Sequence, residues 1–454
     1  MREVPDNNLK LARKVPSFYL LLSLSEVTRS LLLLALAVIT GAAAALGVVL
    51  FRYLVDFCHQ LFFSDLLPVV SMHVFGYNLG IILLPVLGGL IIGPIMWRLA
   101  PELVGHGIPE TMEAFIWDSG RIRKRVSALK VLVSGITLGS GGSAGREGPG
   151  ARIGASVGSS IGQTLRLRPD EVRLLLVVGL SAGITATFNA PLGGILFGME
   201  IMYRRFKLPA IVILSIAVGC VTSMVVARLL ITQFTAFAPV EVDFGIMEIG
   251  YGSLLGLLFG VISFLWVMCL YGVEHLFNQM KIMNDLKPAI GGIAVGVTGM
   301  FLLRYGVMGV GYEGVGLVLR NQIPVSLLLA LFAAKLVASS FTIGSGGSGG
   351  IFAPSLYMGA MAGFFLGNLA APFLPAGPTV ILVVGMAALF SGAARAPLTS
   401  ALLVAEVCGN YSLVIPLILP CIVSFFVANI LLHRLSIYTL RPELKGMHIR
   451  PSVI

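Results

Sequence analysis

Charge is scarce in this sequence. Lysine, arginine, aspartate and glutamate supply 11% of the 454 residues and hydrophobic residues 57%, where soluble domains carry roughly 25% charge. With a mean hydropathy of +0.96, the chain has too little polar surface for a water-soluble globule and reads as an integral membrane protein. Cysteine is sparse too. Cys58, Cys220, Cys269, Cys408 and Cys421 are scattered, odd in number and without a CxxC pair, which argues against a disulfide framework or a thiolate metal site. No metal and no cofactor is expected. The glycine-rich loops do not end in GK[ST], which removes the lysine and the magnesium-binding hydroxyl of a nucleotide loop. The net charge of +10 invites a nucleic-acid reading, but the basic residues sit in short clusters: Lys10, Arg13 and Lys14, RIRKR at 121–125, RRFK at 204–207, and Arg434, Arg441 and Lys445. That distribution is the one expected of cytoplasmic loops, so nucleic acid and nucleotide are not expected partners.

Apolar runs near the ~20 residues that cross a bilayer recur at Leu31–Leu50, Leu79–Met96, Ile211–Val226, Leu254–Leu270 and Leu413–Leu432. They imply helices. The segment before the first run is too long and too polar for a secretory signal, so no cleaved targeting peptide is expected. Both termini are expected in the cytoplasm, with the protein spanning the cell inner membrane many times.

The sequence repeats itself. Residues 139–149, GSGGSAGREGP, match 344–354, GSGGSGGIFAP, at seven of eleven positions with an offset of 205. Downstream, 179–200 overlays 385–406 at an offset of 206, with Pro191 on Pro397 and Glu200 on Glu406. Two patterns that agree in offset to within one residue indicate two copies of one module. The expected division is an N-terminal cytoplasmic segment at 1–30, transmembrane repeats at 31–240 and 241–435, and a pore-lining tyrosine segment with a short tail at 436–454. Glycine- and proline-interrupted apolar segments at corresponding positions point to broken helices that meet near the bilayer midplane. Irregular backbone is tolerated at that depth only when buried in protein or lining a cavity. Each glycine loop leads into a helix whose first N–H groups lack partners, which makes an anion site.

GHGIPE (105–110), GREGP (145–149), GSGGSGGIFAP (344–354) and SIYTL (436–440), together with the NAPL and RAPL segments, resemble the CLC chloride channel and transporter family. The resemblance runs from about residue 30 to 440. It implies an all-α polytopic fold of two inverted repeats of tilted, partly broken helices, assembled as a homodimer with one pore per subunit. It also implies chloride or a similar small anion as substrate, with protons as the coupled partner in an antiporter. The backbone N–H groups of Arg146, Glu147 and Gly148 would face an outer anion position. Those of Ile351 and Phe352 would face a central one, beside the Tyr438 hydroxyl and the His106-Gly107 turn. Glu147 would be the gating glutamate: a carboxylate competes with an anion for the same donors, and protonation vacates the site.

Two positions depart from the family pattern. His106 stands where relatives usually carry a serine whose hydroxyl contacts the central chloride. Its imidazole either faces the anion, adding a second titratable group, or is hydrogen-bonded to backbone and turned away. Ile201 stands where many exchangers place an inner proton-carrying glutamate, which favours a channel-like or weakly coupled protein unless water, Glu200 or His106 relays protons. Glu200 and Glu406 occupy equivalent places in the two repeats, which suits structural acids at broken helix ends. Lys130 is an intramembrane cation expected to pair with a buried acid or with carbonyls. A different class, an intramembrane serine hydrolase, is raised by G-x-S-x-G at Ser143 and Ser348, but the pattern alone is weak and a duplicated nucleophile is odd. An enzyme is therefore not expected. The sequence closes soon after SIYTL, so the paired cytoplasmic regulatory domains of many relatives are not expected either.

Overall fold

The computed structural model describes residues 26–203, 208–231, 239–242, 244–373, 375–444 and Gly446. The basic clusters at Lys10, Arg13 and Lys14, at 204–207 and at Lys445 lie outside them, as do most of segment 1–30 and the end of the tail. The only strands among the described residues form a hairpin, β1 (His73–Val74) with β2 (Tyr77–Asn78). The rest of the architecture is helical. The first half contains α1 (Glu26–His59), α2 (Gly80–Pro94), α3 (Ile108–Ile116), α4 (Arg125–Gly139), α5 (Glu147–Thr164), α6 (Pro169–Phe188), α7 (Pro191–Phe197) and α8 (Ala210–Leu230). The second half repeats them in order as α9 (Ile246–Gln279), α10 (Lys287–Leu302), α11 (Tyr312–Leu319), α12 (Val325–Gly344), α13 (Phe352–Leu369), α14 (Pro378–Ala394), α15 (Pro397–Val407) and α16 (Val414–Leu431). A short α17 (Leu440–Leu444) follows.

Eight helical stretches among the described residues are long and apolar enough to cross a membrane. The first helix of each half, α1 and α9, has 34 residues, about 50 Å at helical rise. A hydrocarbon core is ~30 Å thick. Helices this long are accommodated by tilting, and their polar ends explain why the apolar runs in the sequence look shorter.

The two halves are inverted. The equivalent helices α2 and α10 both belong to membrane-crossing stretches and pack with Gly89 against Ala289, Gly93 against Asp285, Gly292 against Pro85 and Gly296 against Ile82. Residue numbers rise along one helix as they fall along the other, so the pair is antiparallel. Equivalent spanning helices run antiparallel only when the axis relating them lies in the membrane plane.

Local chemistry repeats with the topology. Helices α6 and α14 end on Asn189 and Arg395, both left-handed with φ of 56° and 59°. An alanine follows in each case, and then Pro191 or Pro397 opens the next helix. Proline suits the first helical position because its missing N–H would have had no partner there. In the interior, α5 packs on α6 and α13 on α14 through glycines. A Cβ added at Gly154 would stand 2.0 Å from the carbonyl oxygen of Gly179, and at Gly359 2.3 Å from that of Gly385. Backbones in direct contact replace the hydrophobic driving force that lipid does not supply. Exposed apolar side chains are left to the outer helices, such as Leu229 on α8 and Ile415 and Ile430 on α16.

Gly359→Ala is therefore expected to destabilise the protein by about 1–3 kcal/mol through overpacking, read as a lower melting temperature in detergent. Gly272→Ala in α9, where an added Cβ meets nothing within 4 Å, is expected to be neutral or slightly stabilising. Equal melting temperatures for the two variants would contradict this packing.

Candidate anion site

The N-termini of α5 and α13 meet inside the protein. Gly145 and Gly350, one residue from each glycine loop, exchange two backbone hydrogen bonds: Gly145 N–H to Gly350 O at 2.8 Å and Gly350 N–H to Gly145 O at 2.7 Å. Serines brace the junction symmetrically. Ser134 and Ser348 hydroxyls are 2.7 Å apart, and those of Ser143 and Ser339 3.0 Å apart. Ser143 N–H donates to Thr342 Oγ1 and Ser348 N–H to Thr137 Oγ1, and Ser143 Oγ also donates to Val307 O. The G-x-S-x-G serines thus have their hydrogen bonds in cross-repeat bracing, not aligned on a histidine as a hydrolase nucleophile requires.

Glu147, the first residue of α5, turns its carboxylate onto the other repeat's helix. Its Oε1 accepts from Phe352 N–H at 2.6 Å and from Ala353 N–H at 3.1 Å. These are the first free donors of α13, where the helix dipole is positive. The cradle has no spare room: a Cβ on Gly145 would stand 1.9 and 2.1 Å from the two carboxylate oxygens, and one on Gly350 2.4 Å from Oε1. The Phe352 ring is held between Phe188 and Phe390 at 4.9 and 4.5 Å. Phe352 N–H, expected at a central anion position, is engaged by Glu147, and Ala353 was not anticipated. Arg146, Glu147 and Gly148 form the turn opening α5, and Ile351 the N-cap of α13. The Arg146 guanidinium reaches Asp56 at 3.3 Å.

Beside this cradle lies a group of polar atoms that the protein leaves unpartnered. Glu147 Oε2, both ring nitrogens of His106 and the Tyr438 hydroxyl are buried with no hydrogen-bond partner. The His106 and Tyr438 rings lie 5.9 Å apart, and the His106 carbonyl abuts Gly148. His106 is not hydrogen-bonded to backbone, contrary to one of the two expectations for it. Buried polar atoms without partners are costly and rare, so four of them around one place mark a site for a polar ligand. Gly107 contributes shape. Its φ is 92°, and its N–H is engaged by Glu110 Oε2 at 2.9 Å in a capping box.

The surrounding charges position these groups. Lys130 Nζ donates to the carbonyls of Leu103 and Gly105 at 3.2 and 3.0 Å, holding the loop that carries His106. Its equivalent Lys335, 205 positions on, was not singled out by sequence and does the same for the carbonyls of Gly306, Val307 and Gly309. The repeat offset was the signal that could have found it. Arg441 follows the Tyr438 segment and binds Val104 O at 2.8 Å, Glu110, and Glu274 at 3.2 Å. It ties the two motifs of the site together. The Glu200 carboxylate accepts from Leu398 and Thr399 N–H at the start of α15, while Glu406 accepts from Leu192 and Gly193 N–H at the start of α7. Each repeat thereby caps the broken helix of the other. Ile201 is buried in the wide turn Gly198–Tyr203.

Two cavities flank the site. One of about 440 Å³ is bordered by Arg146, Asp56, Arg304 and Glu313, together with Leu138, Gly141 and the 306–310 loop. The other, much smaller, reaches His106, Glu274 and Arg441, with Ile343, Gly346 and the 104–106 loop. Leu138 and Gly141 are the repeat equivalents of Ile343 and Gly346. Inverted symmetry therefore sets the cavities at opposite membrane faces, with Glu147, Tyr438 and His106 between them.

A helical core broken in each repeat, with helix-start amides turned inward onto a carboxylate, is the architecture of an anion-conducting membrane protein. The sequence model of the voltage gated chloride channel family matches residues 88–429. The chain is 32% identical over 415 residues to the H(+)/Cl(-) exchange transporter ClcA of Yersinia pestis bv. Antiqua (strain Angola), covering 88% of this chain and 85% of that one. The crystal structure of a slow cyanobacterial Cl-/H+ antiporter superposes with a TM-score of 0.80 at 27% identity, over 93% of this chain and 99% of the other. That of a CLC-type fluoride/proton antiporter shares the fold at 22% identity, with a TM-score of 0.74 over 90% and 97%. The chain belongs to the voltage gated chloride channel (CLC) family of membrane channels and transporters.

Because the three atoms nearest a Cβ at Gly145 all belong to the far end of the flexible Glu147 side chain, Gly145→Ala is expected to fold and to expel the carboxylate from its cradle. Anion efflux from loaded liposomes should rise while proton movement falls. Wild-type values for both would mean that the carboxylate is not confined as described.

Proposed function

We propose that this chain is a proton-coupled chloride antiporter in which Glu147 is both gate and proton carrier. The observation that carries the reading is the Glu147 carboxylate lying on the Phe352 and Ala353 amides, donors that a dehydrated anion would otherwise take. Ionised, the side chain blocks; protonated, it loses its charge-assisted bonds and yields the amides to the anion. The names of the ClcA relative and of the cyanobacterial antiporter support proton exchange in particular. The anion is proposed to be held outside by the turn Arg146, Glu147 and Gly148, and at the centre by the N-terminus at Ile351 and Phe352, the Tyr438 hydroxyl and His106, with Gly107 shaping the turn. Glu200 is assigned a structural role as a helix cap, paired with Glu406 across the repeats.

The channel reading rests on Ile201, an apolar side chain where a proton carrier is found in many exchangers. Uncoupled transport would follow if no other group delivered protons. We further propose repeats at 31–240 and 241–435, a homodimer in the lipid of the cell inner membrane, and both termini in the cytoplasm.

The test is a chloride gradient across liposomes containing purified protein. It should drive proton movement against a pH gradient in the wild type. In Glu147→Gln it should leave chloride flux equal or greater and abolish coupled proton movement; strong residual proton transport there would move the carrier elsewhere. Glu200→Ala removes two cap acceptors and should cost about 1–2 kcal/mol of stability with the proton-to-chloride ratio intact. A changed ratio would make Glu200 a relay.

A further inference from the structure

The gate accounts for the proton's exchange with one side and leaves open how the proton reaches Glu147 from the other. The titratable side chains lining the smaller cavity, among the described residues, are His106, Glu274, Lys287 and Arg441. Arg441 is paired with Glu274 and Glu110, and Glu110 also binds the Gly107 N–H. Lysine and arginine give up a proton with difficulty, and Glu274 holds an ion pair. His106 differs: it borders the cavity, it is 2% exposed, and both of its proton-exchanging nitrogens are unpartnered. The Tyr438 ring lies 5.9 Å from the His106 ring, and the His106 backbone carbonyl abuts Gly148, next to Glu147, whose Oε2 is also unpartnered. Charges within electrostatic reach of the ring come from Glu110 of α3, Lys130 of α4 and Arg441 of α17, and the cavity adds Glu274 of α9 and Lys287 of α10. Ile201 is buried and apolar, and the Glu200 carboxylate is engaged by two amides.

We propose that His106 is the proton-transfer group between the smaller cavity and Glu147, doing by imidazole what no acid at 201 can do here. The inference rests on the proton-coupled reading above. Hydronium in the cavity gives its proton to one nitrogen of the neutral imidazole and leaves as water. The imidazolium releases a proton from its other nitrogen to a water in the site, which delivers it to Glu147 Oε2, and the ring returns to its neutral form. Two unpartnered nitrogens suit this because one can take up a proton as the other gives one up, and a transient imidazolium is compensated by an anion beside it.

The experiment compares wild type, His106→Gln and His106→Ser in liposomes under a chloride gradient, with chloride and proton fluxes measured together. Both variants keep a hydrogen-bond donor for the anion and neither can titrate. The expected result is a proton-to-chloride ratio at least tenfold below wild type at whatever chloride flux each variant keeps. A wild-type ratio in either variant overturns the inference. So does loss of chloride and proton movement together in both variants while they remain folded, since that would make the imidazole an anion ligand alone. A wild type that moves chloride with no protons would sink the antiport reading itself, an outcome distinct from coupled wild type with coupled variants.

Discussion

The pair of backbone hydrogen bonds between Gly145 and Gly350 is the contact on which the rest depends. It joins two helix N-termini from opposite repeats inside a hydrocarbon slab, where an unpaired backbone group is expensive. Tying one N–H and one carbonyl of each loop leaves the following amides, at Phe352 and Ala353, to find another partner. Nothing apolar can serve, and the Glu147 carboxylate does, its negative charge suited to the positive end of the helix. A side chain at Gly350 would press on the Gly148 backbone nitrogen at 2.7 Å, and one at Gly145 would displace the Glu147 carboxylate. The serine and threonine braces, the two buried lysines on loop carbonyls and the crossed glutamate caps hold that junction from further out, each once per repeat.

The repeats are alike in scaffold and unlike at the site. At one position of the loop the first copy has Glu147 and the second Phe352, so one helix brings the carboxylate and the other receives it. His106 corresponds to Val310 when the lysine-held loops are overlaid, and Tyr438 follows α16, the last of the paired helices. A symmetric frame thus carries an asymmetric set of chemical groups, as a pathway that takes ions in at one face and releases them at the other requires. Binding must also be weak enough to let the ion leave, and the proposed gate, by competing for the same amides, would meet that need.

Much of this was legible in the sequence. The offset of 205 to 206 residues predicted two copies of one module, the family resemblance implied their inversion, and low charge with interrupted apolar segments predicted broken membrane helices. Glu147, His106 and Tyr438 were identified through motifs, and the structure gathers them. What sequence could not supply was the partner of each group. Which amides would take the carboxylate depends on how α13 is rotated, so Ala353 was missed. Gly107 was counted among the anion-binding residues, but its N–H is taken by the Glu110 carboxylate three residues on. Arg441 binds Glu110 across 331 positions of chain, a pairing that no local pattern announces. The full 34-residue lengths of α1 and α9 were hidden because their polar ends interrupt the apolar count.

The central claim is that carboxylate and anion take turns at the same amides. Anomalous diffraction from crystals of Glu147→Ala grown in bromide tests it directly. A bromide peak is predicted at the place vacated by the carboxylate, within hydrogen-bonding reach of the Phe352 and Ala353 nitrogens. Bromide bound elsewhere in the protein, with none at those two amides, would contradict the account.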